Sequence, residues 1–253
     1  MTPPSTKPGS KDDPSESFSK PTESPRTFDP RKTPAPPRKE PQPTTRVASL
    51  PKWTPLRVNG RPSASDHPKG STELFKLISK SVWVVVAAPT QSALQRGTDI
   101  AQGSAVAVTK KQLLTNCHII EGRPLVWIKQ ADKLTRANVI AGDSATDRCI
   151  LSAEQESLDP VQGFRKYETL MVGEEVYTIG SPSGLESTLG QGIISGLRQL
   201  ESQRLIQTTS PISPGSSGGG LFDRSGNVIG ITTFMVSKGQ SLNFAIAADD
   251  YFR

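Results

Sequence analysis

Histidine and cysteine are almost missing from this 253-residue sequence, which holds two of each. Cys117 and Cys149 are too few for a disulfide framework and too few for a structural zinc site. No metal site and no cofactor is therefore expected. Aromatic residues are sparse as well, at 6%. No apolar run approaches the roughly 18 residues of a membrane span, so no transmembrane segment is expected. The start runs through Pro, Ser and Thr without a charged stretch and an apolar stretch behind it, so no signal peptide is visible and a cytoplasmic location stays open.

What the sequence has in plenty is proline, and it is unevenly placed. Residues 1–70 carry 16 of the 22 prolines and a charge of +6, which leaves the other 183 residues neutral. A segment so poor in apolar side chains cannot bury enough surface to offset its ordering entropy. Residues 1–70 are thus expected to be a disordered, Pro-rich basic arm, and 71–253 a folded domain. Lys and Arg in the arm are interleaved with Asp, Glu and Pro, which favours a solvated tether, and no nucleic-acid partner is expected. Leu50, Trp53, Leu56 and Val58 are the arm's one apolar group and the candidates to dock on the domain. Pro34-Ala35-Pro36-Pro37-Arg38 is a weak match to a ligand of SH3-like domains, the basis of a scaffold reading.

From Ser71 a short helix is expected, with Leu74, Leu77 and Ile78 on its apolar face. Strands follow at 81–88, 103–108, 112–115, 125–129, 137–140, 148–152, 175–179, 192–197, 204–208, 219–222, 228–234 and 243–246. Short strands at roughly ten-residue spacing, with hardly a helix, indicate an all-β chain built as antiparallel barrels or as a sandwich.

The scarcity of histidine simplifies the search for chemistry. His67 lies beside Pro68 in the arm, so His118, at the end of a buried strand, is the one histidine able to act as a positioned base. Pro214-Gly215-Ser216-Ser217-Gly218-Gly219-Gly220 sets a serine in a glycine-rich turn. A nucleophilic hydroxyl needs such surroundings, because its Oγ must project freely and nearby backbone N–H groups must face a developing oxyanion. A carboxylate is needed to orient the imidazole. Asp132, Asp143, Asp147 and Asp159 lie between the two motifs. Position favours Asp147, at the head of Arg148-Cys149-Ile150-Leu151, without excluding Asp143.

Gly103-Ser104-Ala105-Val106 and Leu114-Thr115-Asn116-Cys117-His118-Ile119-Ile120 resemble the histidine region of the HtrA/DegP type of trypsin-like serine proteases. Asp143-Ser144-Ala145-Thr146-Asp147-Arg148-Cys149-Ile150-Leu151 is similar to that family's aspartate segment and selects Asp147. Gly180-Ser181-Pro182-Ser183-Gly184-Leu185, Gly192-Ile193-Ile194-Ser195, the stretch from Gln207 to Leu221, and Asn243-Phe244-Ala245-Ile246 match its further motifs in order. The resemblance implies two six-stranded antiparallel β-barrels of the chymotrypsin kind and a serine endopeptidase acting on polypeptide substrates. It makes His118, Asp147 and Ser217 the catalytic residues and the N–H groups of Gly215 and Ser217 the oxyanion hole. A catalytically silent, peptide-binding version of the fold is the alternative. The sequence departs from the family pattern at Gly220, where proline is usual, and at Arg148, where an apolar residue is usual. No PDZ domain follows, so trimer behaviour is not carried over.

By the same resemblance Thr233, Phe234, Met235 and Val236 would line an extended substrate, and Ile212 with Val236 would shape a shallow apolar pocket for Val, Ala, Leu or Ile. The family also suggests a periplasmic or extracellular setting. Cys117 precedes the histidine and Cys149 follows the aspartate by two residues on the same side of its strand. They are therefore expected either to bridge behind the triad or to remain buried thiols.

Overall fold

The structure is a computed structural model that describes residues 49–57, 69–155, 158–181, 187–200, 202–235 and 242–253. The expectation for residues 1–48 and Val58 falls outside the described residues. Ahead of Ser71, however, residues 49–57 pack on the domain, with Leu56 buried in its core.

Helix α1 (Ser71–Ile78) opens the domain and buries Leu74 and Ile78. Removing each from water stabilises the fold by about 1.5–3 kcal/mol. Six strands, β1 (Val82–Ala88), β2 (Ala101–Ala107), β3 (Gln112–Thr115), β4 (Leu125–Gln130), β5 (Lys133–Asp143) and β6 (Arg148–Ala153), close into an antiparallel barrel in the order β1-β2-β3-β6-β5-β4. Two helices interrupt it, α2 (Gln91–Arg96) after β1 and the single turn α3 (Cys117–Ile120) after β3.

A short strand, β7 (Gly163–Phe164), precedes the second barrel, which comprises β8 (Glu175–Gly180), β9 (Thr188–Gln199), β10 (Arg204–Thr208), β11 (Gly220–Asp223), β12 (Asn227–Met235) and β13 (Asn243–Ala247). Its order is β11-β8-β9-β10-β13-β12, closed by the β11–β12 pairing, and β7 adds in parallel to β12. A 3-10 helix, Ala248–Phe252, follows. The chain is thus all-β in the two-barrel form, and the sandwich is excluded.

Each barrel has its own core. Trp83, Val85, Leu113 and Leu151 fill the first, and Val176, Ile194, Ile206 and Leu221 fill the second. A third cluster, with Val106, Leu114, Ile150, Tyr177, Ile179, Phe222, Ile231 and Tyr251, lies between them. Pairs such as Leu113-Leu114, Ile150-Leu151 and Leu221-Phe222 follow from this arrangement. Successive side chains on a strand point to opposite faces, and here one face looks into a barrel and the other onto its neighbour.

Candidate active site

His118 does not end a strand. β3 stops at Thr115, Asn116 stays extended, and the histidine stands on α3. Thr115 pairs with Cys149 in β6, so the start of α3 lies beside the residues that follow Asp147. The sulfurs of Cys117 and Cys149 are 2.12 Å apart, with Cα atoms separated by 5.0 Å. Asp147 itself adopts φ +55°, the left-handed region that L-residues other than Asn, Asp and Gly seldom enter.

Three donors fix the Asp147 carboxylate. Its Oδ1 accepts the His118 backbone N–H at 2.9 Å, and its Oδ2 faces His118 Nδ1 at 2.8 Å. Oδ2 also accepts the Thr233 hydroxyl at 2.8 Å. With Nδ1–H donated to the carboxylate, Nε2 is left as the acceptor nitrogen of the neutral ring. Asn116 Nδ2 holds the Asp147 carbonyl at 3.2 Å. Asp143 is elsewhere. Its Oδ2 accepts the Thr146 hydroxyl at 2.5 Å and Arg148 Nη2 at 3.1 Å.

The Ser217 turn comes from the second barrel but is clamped from the first. Ser216 N–H bonds Ser213 O at 2.8 Å, and Gly215 has φ +95°. Gly218 has φ +83°, and a Cβ there would sit 1.9 Å from Ser104 O, so the position admits glycine alone. Ser104 N–H bonds Ser217 O at 2.8 Å, while Ser104 Oγ donates to Gly215 O at 2.9 Å and accepts Ser181 N–H at 2.9 Å. Among the described residues the N–H groups of Gly215 and Ser217 have no hydrogen-bond partner. Ser217 Oγ donates to Thr233 O at 2.9 Å, and no hydrogen bond joins it to His118.

The structure therefore gathers His118, Asp147, Ser217, Gly215 and Thr233 at the junction of the barrels. Ile212 is buried at 6% exposure in the loop that leads to Ser217. β11 pairs with β12 only between Val228 and Ile231. The Thr233–Met235 stretch of β12 thus has one edge not covered by a strand of the described residues. Phe234 and Met235 lie in β12, and Val236 falls outside the described residues. Two contributors escaped the sequence: the Thr233 side chain on Asp147 and the buried Ser104 hydroxyl. Threonine and serine are common on strands, and nothing local tells which backbone or carboxylate they will meet across 86 or 111 residues.

Residues 103–231 match the trypsin-like peptidase domain family. Serine protease Do-like HtrB of Bacillus subtilis is 34% identical over 155 residues, which cover 56% of this chain and 34% of that protein. Protease Do-like 1, chloroplastic, of Arabidopsis thaliana is 37% identical over 168 residues, covering 60% of this chain and 38% of that protein. The chain thus spans roughly a third of the length of these curated relatives, at 34% and 38%. Among solved structures, the HtrA-type protease AlgW with tripeptide superposes with a TM-score of 0.65 at 27% identity, over 72% of this chain and 60% of that one. With the family match extending over just over half of its length, and HtrA/DegP serine proteases among its homologues, the chain belongs to the trypsin-like peptidase domain family.

Proposed function

We propose that this domain is a serine endopeptidase in which His118, Asp147 and Ser217 form the catalytic triad. The observation that carries the reading is the Asp147 carboxylate, which takes both the backbone N–H and Nδ1 of His118 and so aims Nε2 outward. Ser217 Oγ leaves the Thr233 carbonyl by rotation about its Cα–Cβ bond and attacks the substrate carbonyl carbon. Nε2 takes the hydroxyl proton as the Oγ–C bond forms, then gives it to the amine nitrogen as the C–N bond breaks. Asp147 stabilises the imidazolium between these steps. Water repeats the sequence on the acyl-enzyme and restores Ser217.

The unpartnered N–H groups of Gly215 and Ser217 are the oxyanion donors, each worth about 2.7–4 kcal/mol in the transition state. The open edge of Thr233–Met235 takes the substrate as an added strand. Ile212 narrows the primary pocket to small or medium aliphatic side chains, and a peptide-library profile dominated by Arg or Lys overturns that assignment. Cys117 and Cys149 bridge the histidine helix to the strand behind the aspartate.

One observation favours a second reading, a peptide-binding module without turnover: the Ser217 hydroxyl rests on Thr233 O and not on His118. Labelling with a fluorophosphonate probe separates the two. Wild type is expected to label and to cleave casein, with His118→Ala and Ser217→Ala each lowering turnover by about 10⁴-fold or more. Labelling that survives Ser217→Ala points to another nucleophile and defeats the proposal.

A further inference from the structure

Asp147 is followed by a buried arginine that the acyl-transfer chemistry does not use. Arg148 is 9% exposed. Its Nε donates to Thr146 Oγ1 at 2.7 Å, its Nη2 to Asp143 Oδ2 at 3.1 Å, and its Nη1 to the carbonyl of Asp250 in the 3-10 helix. Gln203 Nε2 completes the ring of contacts by holding Thr146 O at 2.7 Å. Residues 143–148 are thus knotted on both sides of the left-handed Asp147, and the knot is made by one planar, five-donor guanidinium.

The remaining face of that guanidinium is covered from the far end of the sequence. The Trp53 ring lies over Arg148 Cζ at 4.4 Å. Trp53 is held in turn by its Nε1 on Arg253 O at 3.1 Å and by an edge contact with Tyr251 at 6.2 Å. The strap of residues 49–57 is anchored at both ends. Gly142 N–H bonds Pro51 O at 3.0 Å, and Leu56 N–H bonds Tyr251 O at 2.9 Å. Tyr251 reaches on to the end of β3, with its hydroxyl on Thr115 O at 3.0 Å. Burial first, and then the charge of Asp147, pushes its phenol well above the ordinary range, so it remains a donor. Through Arg148 and Tyr251 the strap is thus tied to the segment that carries Asp147 and to the end of β3 ahead of His118.

We propose that Arg148 is a positioning residue for Asp147, and that the strap of residues 49–57, by stacking Trp53 on the Arg148 guanidinium, is a working part of the active site. The proposal rests on reading Asp147 as the partner of His118. Arg148 touches neither substrate nor imidazole; it acts by fixing the backbone that aims the carboxylate. A displacement of about 1 Å at a catalytic group costs on the order of 100-fold in rate.

The test uses the full chain in five forms: wild type, Arg148→Met, Trp53→Ala, Trp53→Phe and Ile194→Ala. The last weakens the second barrel's own core, which holds no residue of the strap and not Tyr251, and controls for stability. With two histidines in the sequence, ¹⁵N-histidine labelling resolves the His118 Nδ1 proton. Arg148→Met and Trp53→Ala are expected to lower kcat about 10- to 100-fold with KM within about two-fold, and to broaden or shift that proton's resonance upfield. Trp53→Phe, which keeps an aromatic face for the cation, recovers most of both readouts. Ile194→Ala lowers Tm and leaves both in place. A folded Trp53→Ala with unchanged kcat and an unchanged resonance overturns the proposal, also where Arg148→Met does not fold. A wild type that fails to label with fluorophosphonate defeats the protease reading instead, and the resonance in Trp53→Ala then still decides the positioning claim.

Discussion

The two halves of the site are held in opposite ways. The Ser217 turn is fixed chiefly through backbone, by Gly218 N–H on Thr232 O, Gly219 N–H on Ser216 O and Ser104 N–H on Ser217 O, with the Ser104 and Thr232 hydroxyls added on Gly215 O and Ser216 O. Its conformation depends on side chains being absent. The Asp147 segment is fixed through side chains, namely Arg148, Asp143, Thr146 and Gln203 together with Trp53. The first kind of support allows no addition, and the second allows no loss of charge or hydrogen-bonding capacity. A site made of both fails in two distinct ways.

Gly218→Ala is the sharpest break, because the new methyl has the Ser104 carbonyl 1.9 Å away with no flexible group to yield. It is expected to abolish probe labelling and to destabilise by more than about 4 kcal/mol, read from urea unfolding. Removing the proposed bridge comes next. Cys117→Ser with Cys149→Ser opens a loop of 32 residues, and a loss of about 3–4 kcal/mol is expected from chain entropy. Two alkylatable thiols in the unreduced protein deny the bridge outright.

Thr233→Val removes one of three donors from a carboxylate, a bond worth about 1.5–3 kcal/mol. It is expected to lower kcat roughly tenfold to a hundredfold while the Ser217 turn, held by backbone, still labels. Loss of labelling there would show that the two halves are not separately supported. The smallest effect concerns acid. Burial raises the Asp143 carboxyl, but hydrogen bonds from Thr146 and Arg148 outweigh it and leave its pKa below the usual 3.8. A group lowered on folding contributes stability above its unfolded pKa and loses it as pH falls through the folded one. The stability gap between wild type and Asp143→Asn should therefore be full near neutrality and shrink below about pH 4.

This contrast also explains what could be read in advance. β3 and β10 begin and end where the sequence places them, because their apolar runs are buried on both faces. β9 runs from Thr188 to Gln199 against an expected 192–197, since its first half reads as a glycine loop. Gly192 is small there for another reason: a Cβ would meet Ser210 N at 2.2 Å. The histidine and the serine turn announce themselves through rarity and glycine content, whereas Asp147 could be told from Asp143 only by resemblance. Arg148 stands out in the sequence only as a departure from the family pattern, because its acceptors lie up to 102 residues away.

Trp53 and Arg253 are hydrogen-bonded across 200 residues. At about 5–20 residues per second, the ribosome takes on the order of 10–40 s to make the chain between them. For that interval the strap has emerged but the helix that holds it has not. A nascent chain in this state holds Arg148, Asp143 and Thr146 but lacks the Asp250 carbonyl and the Arg253 seat of Trp53, so the support around Asp147 is completed last.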